Sequence, residues 1–218
     1  MRFYIFFIFT FLFSSTYNVG DQISLGHQNA QYDICYGANL DLNGDGVFQL
    51  AELNGNLNGG NYFVTVLKMS TSWWPACYSG LSSLDDFINE YSDNENVFIF
   101  TSLGDIGQPY SCSQWGNQGA TGIPLITDDT GLPLFSQFNT DNLLPSTVFI
   151  DHNMTVYYQE AGWNSSVASN KVDEMLDNLE NSLILAPFID LSISPSIGDN
   201  DGILNPGEAL EVTFVISN

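Results

Sequence analysis

Between Asn61 and Leu103 the chain reads as an apolar strand, an amphipathic helix and a second apolar strand, and strands joined through a helix leave few topologies open. The first, "NYFVTVLKMS" (Asn61 to Ser70), is rich in β-branched and aromatic residues and predicts a buried strand. Leu81, Leu84, Phe87, Ile88 and Tyr91 then recur at helical spacing, predicting a helix with one apolar face over about 77–91. "VFIFTSL" (Val97 to Leu103) predicts the second strand. Such a unit closes as a parallel pair with a right-handed crossover. The expected class is therefore α/β, with a central sheet flanked by helices.

The pattern continues downstream. "GIPLITDD" (Gly122 to Asp129) reads as a short strand, "LPLFSQF" (Leu132 to Phe138) as a short helix and "STVFID" (Ser146 to Asp151) as a strand. A turn at "DHN" leads into "MTVYYQEAG" (Met154 to Gly162), and strands joined so closely are expected to pair antiparallel. Val172, Met175, Leu176, Leu179 and Leu183 mark a closing amphipathic helix. Beyond Pro187 the period changes to alternation, "FIDLSISP" and "EALEVTFVIS", as at the start of a β-sandwich. That segment stops in mid-strand at Asn218, which reads as a truncated domain. The expected organisation is a signal peptide over 1–18, a polar lead over 19–39, the α/β domain over 40–185 and the sandwich fragment over 186–218.

The N-terminus sets the compartment. Arg2 precedes an apolar run from Phe3 to Phe13 that is shorter than a bilayer span, the form of a secretory signal, so the chain is expected to be exported with no transmembrane span in its mature form. Outside the cell disulfides persist, and Cys35, Cys77 and Cys112 are an odd set that leaves one thiol over. The formal charge is −22, from 25 acidic against 3 basic residues. Removal of the signal leaves Lys68 and Lys171 as the only cations, too few to neutralise phosphates, so nucleic acid is excluded as a partner. The acidity itself reads as solubility in a salty exterior.

Four stretches in order, "DLNGDGVFQLAELNG", "VTVLKMSTSWWPAC", "VFIFTSL" and "LLPSTVFIDHNMTVYYQEAG", resemble the exported redoxin branch of the thioredoxin superfamily. That branch contains TlpA-like thiol-disulfide oxidoreductases and AhpC/TSA-type peroxidases. The resemblance covers about 40–184 and implies a thioredoxin-like fold. It implies a cis peptide at Leu144-Pro145 facing the active-site loop. It also implies thiol-disulfide exchange with protein or small-molecule thiols and disulfides, with no cofactor required.

In that family the attacking cysteine sits at a helix N-terminus, where the dipole and free N–H groups stabilise a thiolate, and the resolving cysteine lies one turn deeper. Here the attacking position is Trp74 and the resolving one Cys77, so the motif is degenerate. Peroxidase chemistry is disfavoured because it relies on an arginine beside the thiolate, and the exported chain has none. Three arrangements remain open. Cys77 pairs with Cys112 as a redox disulfide; or Cys35 and Cys112 form a structural bridge and leave Cys77 alone; or residue 74 is a decoding of UGA, the selenocysteine codon one base from that of Trp. The catalytic candidates are Cys77, Cys112, Trp74 as the seat of the missing nucleophile, and Pro145, with Trp73 and Leu144 lining a substrate groove. The rival reading is a catalytically degenerate module that binds extended peptides.

"DLNGDGVFQLAE" also has calcium-loop spacing, with Asp41, Asn43 and Asp45 at positions one, three and five, Gly46 at six and Glu52 at twelve. Gly37 and Gly55 leave no room for flanking helices, and a hairpin turn explains the same letters. Calcium is thus a candidate cofactor of a stabilised surface module. Asp199, Asp201 and Glu208 form a looser acidic turn without that spacing. His27 and His152 lack metal-ligand spacing and read as solvated surface residues.

Overall fold

The computed structural model describes residues 16–119, 125–184, 188–197 and 209–217. Residues 1–15 of the expected signal segment and the acidic turn Asp199, Asp201 and Glu208 lie outside these. The chain divides into two compact units, Met1–Leu176 and Asp177–Asn218.

The first unit is built on a seven-stranded sheet. Its strands are β1 (Tyr32–Tyr36), β2 (Val47–Phe48), β3 (Val64–Ser70), β4 (Val97–Leu103), β5 (Leu125–Asp128), β6 (Ser146–Ile150) and β7 (Val156–Ala161), in the spatial order β2-β1-β5-β4-β3-β6-β7. β3, β4 and β5 run parallel, while β6 pairs antiparallel with β3 and β7 with β6. The helices are α1 (Leu25–Gln28), α2 (Pro75–Ser79), α3 (Leu81–Glu90), α4 (Cys112–Gly116), α5 (Pro133–Phe138) and α6 (Ser165–Ile184).

β3 is buried at all seven positions. Side chains alternate across a strand, so Leu67 and Met69 enter one core with Phe48, Phe100, Leu125 and Val148. Val64 and Val66 enter the core on the other face with Cys77, Leu84, Phe87, Trp115 and Val172. A central strand covered on both faces is what a near-continuous apolar run encodes.

Three local features depart from the sequence reading. Tyr32–Tyr36, inside the segment read as a polar lead, forms β1 and pairs antiparallel with both β2 and β5; Ile23 from the same segment, and Tyr17 from the end of the expected signal segment, are core residues. The helix expected over 77–91 is two helices meeting at Gly80. There the Trp163 ring lies 3.3 Å from where a Cβ would stand, while its indole N–H donates to Ser83 Oγ at 3.0 Å. Third, His152 is only 7% exposed, its Nε2 lies 3.0 Å from Asn153 Nδ2 and its Nδ1 has no hydrogen-bond partner among the described residues; it is not the solvated residue expected.

On α6, Lys171 forms an ion pair with Glu174 at 2.7 Å. In the second unit, β8 (Phe188–Ile197) and β9 (Ala209–Ser217) pair antiparallel as a two-stranded sheet. This is the pairing that the alternating pattern encodes; two strands do not make the two packed sheets of a sandwich.

Candidate functional site

β3 ends at Ser70, and the chain turns through Thr71–Trp73 into α2. That turn is held by one carboxylate from the loop after β4. Asp105 accepts from the backbone N–H groups of Ser72, at 2.6 Å, and Trp73, at 3.2 Å, and from the Ser72 hydroxyl at 2.8 Å. Trp74 is the N-cap of α2, with extended φ −92° and ψ 119°, and its carbonyl accepts from Cys77 N at 3.0 Å. Pro75 occupies the first helical position, where its missing N–H costs nothing. An indole therefore stands at the helix entrance, the seat that the sequence resemblance gives to an attacking sulfur, and it supplies no capping hydrogen bond.

Cys77, one turn in, is a free thiol with 0% exposure. It belongs to the core facing α2, against which Leu144 packs. The Leu144–Pro145 peptide is cis. Since β3 and β6 pair antiparallel up to Met69↔Ser146, Pro145 falls opposite Ser70, at the same end of the sheet as the α2 turn.

Cys112 does not pair with Cys77. Its sulfur is bonded to Cys35, with a Cα–Cα separation of 5.9 Å across 77 residues. α4, which starts at Cys112, lies against β1, which carries Cys35, and the bond ties those two elements together. The arrangement with Cys112 as redox partner is thereby replaced by the structural bridge, leaving Cys77 alone.

Beneath Cys77 lies a residue the sequence reading passed over. Lys68, in the middle of β3, is 1% exposed; its Nζ donates to Ser70 Oγ at 3.2 Å and reaches the Cys77 carbonyl at 3.5 Å. Burial pushes its pKa down to about 8, opposed by the charge of Cys77. A lysine inside an otherwise apolar strand was the available signal. Asp105, by contrast, sits in a loop whose sequence gives no hint that it folds back on Ser72.

Above the buried thiol the surface is aromatic. Trp73 is 58% exposed, Trp74 42% and Tyr78 47%. The two indoles meet edge to face at 5.3 Å, and Tyr78 stacks on Tyr110 at 6.5 Å. Trp73, Trp74, Pro75, Tyr78, Pro109 and Tyr110 line an open groove of about 280 Å³. Leu144, expected in the same groove, is not part of its lining; it is half-buried against the two cores.

The calcium-spaced loop begins between β1 and β2, after a 3₁₀ turn at Ala38–Leu40, and runs through β2 into the 3₁₀ turn Leu50–Leu53 that carries Glu52; no helices flank it. Asp41 Oδ2 accepts from Gly46 N at 2.8 Å, Asn43 Oδ1 from Asp45 N at 2.9 Å and Asp45 Oδ1 from Val47 N at 2.8 Å. Gly46 holds φ +84°, the left-handed conformation such a bend needs. Glu52 Oε1 accepts from Gln49 N at 3.0 Å, whereas its Oε2 is buried without a hydrogen-bond partner among the described residues. Burial, with the negative charges of Asp41 and Asp45, pushes Glu52 up to about 7. Among the described residues no three His, Cys, Asp or Glu side chains are gathered into a metal cluster, so a cation here would also draw on Asn43 and backbone carbonyls. That mixed oxygen set is the kind calcium takes.

No family model and no curated protein matches the chain. Solved structures do. A protein assigned as a disulfide isomerase from Bacteroides thetaiotaomicron superposes with a TM-score of 0.57 at 15% identity, over 77% of this chain and 95% of that one. The mitochondrial 2-Cys peroxiredoxin of Plasmodium falciparum gives 0.55 at 15% identity, over 78% and 100%. A secreted thiol-disulfide isomerase from Corynebacterium glutamicum gives 0.53 at 10%, over 68% and 83%. At these identities the likeness is one of fold, a thioredoxin-like fold with a central mixed sheet flanked by helices.

Proposed function

We propose that this chain is an exported thiol-disulfide exchange protein that works with a single cysteine, Cys77. One observation carries this: Cys77 keeps its thiol, in the first turns of α2 at the sheet end shared with Pro145, while the other two cysteines are bonded to each other. Export is supported by the N-terminal apolar run and by the Cys35–Cys112 bond, which persists in oxidising compartments. Cys77 attacks a protein or small-molecule disulfide, forms a mixed disulfide and is released by a second thiol from outside. Because the sulfur is buried, the first turn of α2 has to open before attack, and exchange is slow. With glutathione disulfide, the expected product is one glutathione per chain by mass spectrometry, absent from Cys77→Ser. An unmodified wild type leaves only a binding role.

The exposed aromatic groove favours a second reading, the capture of extended peptides on Trp73 and Trp74. Removal of both indoles is expected to weaken capture of an unfolded polypeptide while leaving glutathionylation of Cys77 intact.

The orphaned Glu52 oxygen supports a third element, calcium held by Asp41, Asn43, Asp45 and Glu52. A ligand at a hundred times its dissociation constant stabilises the folded state by about 2.7 kcal/mol. Glu52 must be ionised to bind, and its pKa is about 7. The calcium-induced rise in melting temperature is therefore expected to be larger at pH 8 than at pH 6 and to vanish in Asp45→Ala. No rise at pH 8 rejects calcium.

A further inference from the structure

Among the described residues Lys68 has no carboxylate partner. Its register neighbours across the sheet are Thr101 on β4 and Thr147 on β6. The Thr101 hydroxyl is buried without a hydrogen-bond partner among the described residues, and that of Thr147 donates to the Gly162 carbonyl. Asp85, the buried carboxylate of α3, is turned toward Gly119. From α2 comes Cys77, the one titratable group acting on the amine. A fully buried amine with only hydroxyl and carbonyl acceptors costs stability, and the fold places that amine beneath the residue that carries its one free thiol, 3.5 Å from the Cys77 carbonyl.

We propose that Lys68 is the proton-holding residue of Cys77. The reading rests on Cys77 being the exchanging thiol. When the first turn of α2 opens to an incoming disulfide, the Cys77 S–H bond breaks and its proton moves to Lys68 in its neutral form, which at a pKa of about 8 is the minority at pH 7 and grows as pH rises. The thiolate attacks one sulfur of the disulfide, a new S–S bond forms, the old one breaks, and the leaving thiolate takes the proton back from the Lys68 ammonium. The sum is one thiol and one disulfide exchanged for another such pair, with no further reagent.

In the usual redoxin motif the thiolate is stabilised at the helix entrance. Here the entrance holds an indole and the free thiol sits a turn deeper, so the charge that favours its thiolate comes from below the sheet end, through Lys68.

The test uses the full chain with its Cys35–Cys112 bond intact, so that iodoacetamide reports on Cys77 alone. Lys68→Met, which keeps the length of the side chain without the amine, is expected to slow alkylation at pH 7 by about tenfold and to move the pH–rate profile upward by about one unit. Loss of a buried amine does not threaten the fold. Between pH 8 and the ordinary lysine range the unfolded chain binds the extra proton, so wild type gains stability as pH rises there, and the variant lacks this slope. Superimposable pH–rate profiles overturn the proposal.

A second measurement needs no reactivity. The chain has two lysines, Lys68 and Lys171, so their side-chain carbons are separable by NMR. Cys77→Ser is expected to lower the Lys68 titration midpoint, and an unmoved midpoint also overturns the proposal. If alkylation depends on Lys68 while wild type forms no mixed disulfide with glutathione disulfide, the exchange reading fails and the proton pairing stands.

Discussion

Replacing Cys35 and Cys112 together by alanine is expected to lower the unfolding free energy by about 4.5 kcal/mol. A crosslink that closes a loop of 77 residues restricts the unfolded chain, and the chain-entropy relation gives this magnitude at room temperature. The double variant is the informative one, because a single substitution leaves a second free thiol able to pair with Cys77. Urea unfolding of wild type and variant, both under non-reducing conditions, measures the difference. A change below about 1 kcal/mol would mean that β1 and α4 are held together by packing, not by the bond.

Phe100→Ala is expected to cost a similar amount, about 4 kcal/mol, from lost burial and the cavity left behind. Phe100 is fully buried in β4, between Leu67 of β3 and Leu125 of β5 in the register, with its ring 4.5 Å from that of Phe48. It joins the central parallel strands to β2, the shortest strand of the sheet. The loss appears as a lower urea midpoint with unchanged slope, which separates destabilisation from partial unfolding of the β1–β2 edge. A cost near zero would show that Phe48 and Phe98 collapse into the space.

The parts of this fold that were legible in the sequence are those where one period ran long enough to be read. β3, β4, β6 and α6 fall within a few residues of their expected places because burial on both faces, or on one helical stripe, writes itself into the order of apolar residues. β1 was missed because "YDICY" is short and its partners, β2 and β5, are set by contacts distant in sequence. The break at Gly80 belongs to a tertiary contact with Trp163.

At the site, the seat of residue 74 was legible because proline at the first helical position and an apolar strand before it fix where the helix starts. The partner of Cys112 was not, since three cysteines carry no information about Cα separations. Lys68 was visible as a letter, but its meaning depends on which face of β3 it takes and on what α2 lays above it.

If Cys77 exchanges with disulfides as proposed, the ion pair on α6 bears on how they arrive. Of the two lysines, Lys68 lies under the sheet end and Lys171 is paired with Glu174, so among the described residues the exterior presents acidic groups with no unpaired lysine to balance them. Such a field repels anionic disulfides and draws cationic ones, and added salt narrows the difference in encounter rate between them. The selectivity of an aromatic groove with no charge of its own is then set at a distance, before any contact is made.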